Sequence, residues 1–456
     1  MVVSKVLFVC TLPRSRGCGY IGGAFSMEQQ PTLAEEIRLR KRIQIGFSTV
    51  IGLFWMGMAS SAYNVLLLDS QNFSTAEVGV IMAIYSAIGI IAPPLWGYVA
   101  DRMHSVAKAY IIVFAICAFL VAFMPIFGII KIAGFSFLAI ALPLTNFVRT
   151  PAQNLMDAWS MLAVARAKRV PFGVMRLWGS IGWAISCVLL SFVAEKAGIP
   201  VVFMLSGFIS MGVCIYSVRL NHRIPLQQEP KEGEKQDRPK INPALLFKNY
   251  YFVVLLIFHF LIQMMSNSSM LFLPYVFRSV GMEADMAGAV TGIKALMEVP
   301  FLLAGGLLVR KFKLPPMIAA VGCIYALEHF LYTQLSSPLL SPLVSCMGPA
   351  LILCIQMLSG LANGLYLFTS VQYAYRLAPP ELSASAQTFL GMSMSMGAIC
   401  ASLLGGILIE ITGVTGYYTL TSIVTLVGVV LFGLSFVFGE KVLKIPRPKA
   451  ASATEE

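Results

Sequence analysis

The chain has 456 residues, of which 58% are hydrophobic and 12% are charged, and its formal net charge is +12. Soluble domains carry about 25% charged residues, so this composition excludes a soluble globular protein. It also excludes a disordered chain, which lacks apolar residues, and nine Cys are too few for a disulfide scaffold. The protein is therefore predicted to be an integral membrane protein.

The N-terminal residues 1–42 are predicted to form a cytoplasmic leader. The apolar patch Val6–Cys10 is too short for a membrane span and makes a poor signal peptide. Met27 begins a more ordinary leader that ends in a basic run, Arg38–Arg42. We interpret residues 1–26 as a mis-called start and expect them to be disordered or absent.

Twelve apolar segments follow, each long enough to cross a hydrocarbon layer of about 30 Å as a helix. They are predicted at 43–68, 77–99, 108–130, 133–163, 173–195, 199–218, 250–276, 285–308, 315–335, 343–373, 385–410 and 416–439. An all-α protein with twelve transmembrane helices is thus predicted.

The basic residues indicate the orientation of these spans. With a cytoplasmic N-terminus, the inside segments hold 27 of the 33 Lys and Arg, and the outside loops hold only Lys131, Lys196 and Arg278. The positive-inside rule then predicts a multi-pass protein of the cytoplasmic membrane with both termini in the cytoplasm. Because the positive charge reports topology, no nucleic-acid partner is expected.

The longest polar segment, 219–249, divides the spans six and six. Its mixed charge and its prolines predict a cytoplasmic linker. The chain is therefore divided into a six-helix bundle at 43–218, a second at 250–439 and a cytoplasmic tail at 440–456. Two such halves suggest a duplicated transporter whose site lies between them.

The loop after the second span contains Gly97, Asp101 and Arg102 in the spacing G-x-x-x-D-R. It resembles the signature of the major facilitator superfamily, although His104 and Ser105 stand where that signature continues with other residues. The resemblance implies the major facilitator fold of two six-helix bundles. It also implies that these three residues form a conformational latch.

Polar residues inside the fourth and fifth spans predict a substrate site. Arg149, Gln153 and Asp157 form a stripe on one face of span 4, because they are four residues apart. An arginine within a span is costly unless it faces a wet cavity and a carboxylate, so Arg176 is a site candidate and Asp157 its predicted bidentate partner. Trp183, two turns after Arg176, offers a flat ring for stacking.

The segment from Phe172 to Ala184 resembles helix 5 of the lactose-permease-like group, which includes phenylpropionate permeases and nucleoside symporters. In that group the matching arginine binds sugar hydroxyls and the matching tryptophan stacks on a sugar ring. The resemblance therefore implies substrate-binding roles for Arg176 and Trp183.

The second half carries its own polar stripes. His259, Gln263 and Asn267 share one face of span 7 and are predicted to bind substrate. Lys294 and Glu298 can pair along span 8, and Glu298 occupies the place of the helix 8 glutamate that the resembling permeases use for proton coupling. On span 9, Glu328 is a further proton-coupling candidate.

Span 10 departs from the lactose-permease pattern. Ser359 and Ala362 stand where that group has a proton-relaying histidine and glutamate, so the relay itself does not carry over. Gly360 and Gly364 instead predict close packing with a neighbouring helix.

These observations predict a monomeric secondary transporter of a small organic solute, coupled to protons, in the lipid bilayer. A sugar or oligosaccharide is the leading substrate, and an aromatic acid, a nucleoside or efflux of a drug or metabolite are alternatives. A non-transporting membrane sensor is the alternative of another class. No phosphate-binding lysine loop and no paired Cys or His ligands are found, so no ATP, metal or other cofactor is expected and no enzymatic activity.

Overall fold

The computed structural model describes residues 33–132, 135–166, 172–224, 242–338, 341–379 and 382–446. The predicted start at 1–26, most of the predicted linker and most of the predicted tail lie outside the described residues.

The described chain is almost entirely helical. The first half contains α1 (Leu33–Met58), α2 (Asn64–Asp69), α3 (Thr75–Arg102), α4 (Val106–Ile129), α5 (Leu138–Arg166), α6 (Phe172–Ala197) and α7 (Ile199–Arg223). The second half contains α8 (Tyr250–Leu271), α9 (Leu273–Ser279), α10 (Ala287–Lys311), α11 (Leu314–Gln334), α12 (Ser341–Leu377) and α13 (Ser383–Lys441). Each of the twelve predicted spans coincides with helical residues. Eleven long helices of the described chain account for them, because α13 supplies two spans that meet at Gly413, where φ is +71°.

Within the described residues, nine helices are long and apolar enough to cross a membrane by length and composition. Neither α5 nor α10 is among the nine, and these two helices carry Arg149, Asp157, Lys294 and Glu298. Apolar side chains such as Ile129 and Ile411 are more than two-thirds exposed, as expected of surfaces that face lipid. The fold is therefore that of an all-α membrane protein, as predicted.

Three details differ from the sequence prediction. Span 4 does not begin at 133, because Lys131–Ile132 and Phe135–Ser136 pair as a small antiparallel hairpin before α5 starts. Span 1 is interrupted by a 3-10 turn, Ala59–Tyr63, between α1 and α2. The helix of span 7 ends at Leu271, and the short α9 follows it.

The two halves touch at one end of the molecule, which we call the Asp69 end. Arg278 of α9 pairs with Asp69 of α2, and the backbone amide of Ala76 donates to Glu410 Oε2 of α13. Between them α3 and α13 approach closely, since a Cβ added at Gly79 would lie 2.5 Å from the carbonyl oxygen of Ser402. Only glycine permits such a backbone contact.

The opposite end, at the loop after α3, is here called the Asp101 end. At this end a Cβ added at Gly97 would meet no atom within 4 Å, and Asp101 and Arg102 are exposed. The structure thus joins the two halves at the Asp69 end and leaves the loop after α3 exposed at the Asp101 end, as in a conformation that is open at the Asp101 end.

Candidate functional site

Two tryptophans and an arginine form the first-half side of the candidate site. The guanidinium of Arg176 lies 4.6 Å from the ring centroid of Trp55 in α1, and the edge of Trp183 meets the same indole at 5.8 Å. Gly179 makes this possible, because a Cβ there would lie 2.6 Å from Trp55 Cδ1 and 2.7 Å from an Arg176 nitrogen. A cation over an indole is held by attraction to the negative face of the ring.

The predicted bidentate pair between Asp157 and Arg176 is not formed in this conformation. Asp157 interacts with Arg176 electrostatically, but its buried Oδ1 has no hydrogen-bond partner. The prediction overlooked Trp55, whose ring holds the guanidinium instead. Asp157 therefore keeps a free acceptor atom within the electrostatic range of Arg176.

Trp183 differs from its expected role as an open platform, because only 9% of it is exposed. It packs edge-on against Trp55, which is less buried. The indole that presents a face to the site is therefore that of Trp55, and Trp183 supports it.

The second-half side is built around Glu298 of α10. Asn363 Nδ2 of α12 donates to Glu298 Oε1 at 2.8 Å, and the Tyr325 hydroxyl of α11 donates to Asn363 Oδ1 at 3.4 Å and to Ser266 Oγ at 3.0 Å. As predicted, Gly360 and Gly364 let α12 pack closely on α10, where they touch the carbonyl oxygens of Lys294 and Glu298. The predicted pairing of Glu298 with Lys294 is replaced by the bond to Asn363.

The packing of α6 on α10 sets the two sides at the same depth. A Cβ added at Gly292 would lie 2.7 Å from Cys187 Cβ and 2.9 Å from the Ala184 carbonyl oxygen. Glu298 lies six residues further toward the Asp101 end, about 9 Å at ~1.5 Å per residue. Because α6 runs antiparallel to α10, the same distance toward the Asp101 end leads from Ala184 and Cys187 back to residues 178–181 of α6. These residues include Gly179, so Glu298 lies at about the depth of Arg176 and Trp55.

Arg149 binds the break in the first span. Its Nη2 donates to Ser61 Oγ at 2.6 Å and to the Met58 carbonyl oxygen at 3.3 Å, while its Nη1 donates to the Tyr85 hydroxyl at 2.6 Å. The Met58 carbonyl oxygen, where α1 ends, accepts from this guanidinium and from the Ser61 hydroxyl, which satisfies a carbonyl at a helix end. These contacts are structural in this conformation, and the substrate role of Arg149 stays a prediction; Gln153, one turn away, is half-buried.

The predicted stripe on α8 points into the second bundle. His259 is 4% exposed and its Nδ1 lies 2.8 Å from the Tyr366 hydroxyl, against which its ring stacks. Gln263 is buried, and Asn267 donates to the Gln263 carbonyl oxygen of its own helix at 2.7 Å. These contacts are those of packing residues in the bundle.

The predicted latch is disengaged. Asp101 and Arg102 are exposed, and the Arg102 guanidinium lies 5.0 Å from the ring centroid of Tyr98 on its own helix. This agrees with an open Asp101 end, because a latch between helices requires the two halves to approach there.

Trp55, Asn363 and Tyr325 are site residues that the sequence interpretation did not select. Trp55 is one of only five tryptophans, and Asn363 is an amide inside an apolar span, which is a signal for function. Both signals were present, but the sequence does not show which face of a helix lines the cavity.

Two helical halves that meet at one end and carry buried charges within their spans define a membrane transporter that works by alternating access. The sequence pattern of the MFS_1-like family matches residues 53–420, which is most of the chain. The protein belongs to this family of the major facilitator superfamily, and it is a secondary transporter rather than an enzyme, as the sequence analysis predicted.

Similar proteins are transporters too. The chain is 24% identical over 389 residues to a maltose permease of Geobacillus stearothermophilus, covering 83% of this chain and 90% of that protein. It is 20% identical over 362 residues to a xanthosine permease of Escherichia coli (strain K12), covering 77% and 83%. The crystal structure of the nucleoside transporter NupG shares the fold, with a TM-score of 0.70, 17% identity and coverage of 87% of this chain and 99% of that one.

Proposed function

We propose that the protein is a proton-coupled symporter that takes up a small solute with a hydroxyl-bearing ring, either a sugar or a nucleoside. The observation that carries this proposal is the group formed by Trp55, Arg176 and Asp157 at the depth of Glu298. An indole face, a guanidinium and a free carboxylate oxygen together supply stacking, donors and an acceptor for ring hydroxyls.

The position of Arg176 favours a nucleoside over a sugar. Its planar guanidinium covers one face of the Trp55 indole, and a planar base can take the same place once the arginine turns toward Asp157. The similarity to a xanthosine permease and to a nucleoside transporter supports this choice, while the maltose permease supports a sugar.

Glu298 is proposed to carry the proton. It is half-buried within a span, and its bonded partner is the neutral amide of Asn363 rather than Lys294. An ionised carboxylate without a bonded cation is costly at this depth, so protonation favours the state in which the site closes.

The basic loops support a cytoplasmic location of the Asp101 end and of both termini. The described conformation is then open toward the cytoplasm. Because both sides of the site come from one chain, a monomer is sufficient for transport.

The test is binding followed by flux. Purified full-length protein is screened by thermal shift with uridine, xanthosine and maltose, and a compound that binds is then followed into proteoliposomes under an inward-directed proton gradient. We expect uptake that accelerates with the gradient and that Glu298→Gln uncouples from it, whereas the control Glu195→Gln, an exposed residue at the Asp69 end, behaves like the parent. Binding without flux would indicate a sensor, and flux that the gradient does not alter would contradict proton coupling.

A further inference from the structure

The second bundle contains a buried network that the proposed site does not use. Glu328 of α11 is 0% exposed; its Oε1 accepts hydrogen bonds from Ser269 Oγ and, at 3.3 Å, from the Tyr332 hydroxyl. Gln356 Nε2 of α12 donates to the Tyr332 hydroxyl at 2.7 Å and to Ser269 Oγ at 3.2 Å. The other carboxylate oxygen, Glu328 Oε2, has no partner.

Lys294 stands between this network and the candidate site. It is 5% exposed, its Nζ has no hydrogen-bond partner, and it interacts electrostatically with both Glu298 and Glu328. Glu298 is one turn away on the same helix, and Glu328 is on the neighbouring α11. The Lys294 ammonium group is therefore within electrostatic range of two carboxylates and is hydrogen-bonded to neither.

Polar groups connect the two carboxylates. From Glu298 the path runs through Asn363 to the Tyr325 hydroxyl, and Ser359 lies close enough to interact with both Tyr325 and Glu328. Ser359 Oγ is buried without a hydrogen-bond partner, so it is free to bridge them. It occupies the place on span 10 where the lactose-permease group has its relay histidine.

We infer that Lys294, Glu298 and Glu328 form one charge cluster that holds a single proton, which the two carboxylates share. Fully ionised, the three groups carry a net charge of minus one inside the bilayer, which is costly, and one proton makes the cluster neutral. Lys294 then pairs with whichever carboxylate is ionised. Glu328, on span 9, thereby replaces the proton-relaying histidine and glutamate that the lactose-permease group has on span 10.

The other titratable groups that face Glu328 do not alter this charge balance. They are tyrosines and one histidine: Tyr325, His329 and Tyr332 on its own helix and Tyr418 on α13. His329 is 0% exposed and neither ring nitrogen has a hydrogen-bond partner, so ionising its imidazole would be costly. From α8 and α12 the facing groups are Ser269, Gln356 and Ser359, which do not titrate.

The inference rests on the proposed proton coupling, but its test requires no substrate. The infrared C=O stretch of protonated carboxylic acids is measured on the full-length protein in liposomes at neutral pH, with amide absorption as reference. Relative to the parent, Glu328→Gln and Glu298→Gln should each lose the absorption of one protonated carboxyl group. In each variant the remaining glutamate is ionised, because the positive charge of Lys294 balances it. Lys294→Gln should gain one, and the exposed control Glu195→Gln should change nothing.

The double variant Glu298→Gln with Glu328→Gln separates a shared proton from two independent ones. A shared proton predicts the loss of one carboxyl group in the double variant, as in each single variant, whereas two independent protonated acids predict the loss of two. A loss of two, or an unchanged spectrum in Glu328→Gln, overturns the inference even if Lys294→Gln fails to fold. If the spectra overturn the inference but a proton gradient still drives uptake, the proposed function stands. If the spectra are as expected but uptake is not coupled to protons, the proposed function is rejected and the charge cluster stands.

Discussion

The contact between Gly79 of α3 and α13 predicts a specific way to unbalance the transport cycle. In Gly79→Ala the new methyl group would lie 2.5 Å from the Ser402 carbonyl oxygen and 2.9 Å from Gly406 Cα, and both are backbone atoms that cannot rotate away. An ordinary contact begins at 3.4 Å, so the helices must separate by about 0.9 Å. Overpacking of this kind costs about 1–3 kcal/mol.

That cost is borne only while the Asp69 end is closed. The equilibrium between the two ends should therefore shift by about 5–150-fold toward opening of the Asp69 end. Hydrogen–deuterium exchange measures it: peptides that cover the Ser402 part of α13 should exchange faster in Gly79→Ala, while peptides from α4 and α7, which pack within the first bundle, should not change. Gly433→Ala is the matched control, because a Cβ there meets no atom within 4 Å. Equal exchange in Gly79→Ala and in the parent protein would refute the reasoning.

Three further outcomes are expected. Trp55→Ala should weaken binding of uridine or maltose about 2–30-fold in thermal-shift titrations, because it removes the face that Arg176 now covers, a contact worth about 0.5–2 kcal/mol; unchanged affinity would exclude Trp55 from the site. His259→Phe should keep transport near the parent rate in proteoliposomes, since His259 is a packing residue, and a lost proton gradient response would instead make it a coupling residue. At the Asp69 end, burial and the nearby charges of Glu283 and Glu195 raise the pKa of Asp285. The folded protein therefore binds a proton at Asp285 more readily than the unfolded chain does. The free energy of unfolding accordingly falls as pH rises from the ordinary carboxyl range through the raised pKa. Asp285→Asn should accordingly raise the melting temperature at neutral pH and leave it unchanged at strongly acidic pH, and a lower melting temperature at neutral pH would contradict this.

The sequence predicted the fold well because a bilayer imposes strict demands on it. Every spanning segment must satisfy its own backbone hydrogen bonds and present apolar side chains to lipid, so helix number and approximate position follow from hydropathy. The second strand of the hairpin before α5 was missed because Phe135 and the apolar residues after Ser136 extend the hydropathy of span 4 toward its start. The break at Ala59–Tyr63 was missed because its residues resemble any helix, and Arg149, which bonds Met58 beside it, is 91 positions away along the chain.

The candidate site was only partly predictable for a related reason. A charge within a span is visible in any sequence, so Asp157, Arg176, Lys294, Glu298 and Glu328 could be selected without a structure. The sequence does not show which groups each charged side chain contacts. Opposite charges were expected to pair, yet the structure gives Arg176 an indole and Glu298 an amide, because these neutral groups lie nearer in the described conformation.

By itself the sequence determined that this is a membrane transporter with twelve spans and a small set of buried charges. It also placed those charges in the two halves, with two arginines and one aspartate in the first and one lysine and two glutamates in the second. Tertiary structure alone decided what these charges contact, because the neighbours of a side chain depend on how the helices pack. Only the packing of the second bundle brings Lys294 within electrostatic range of two carboxylates that are 30 residues apart in sequence.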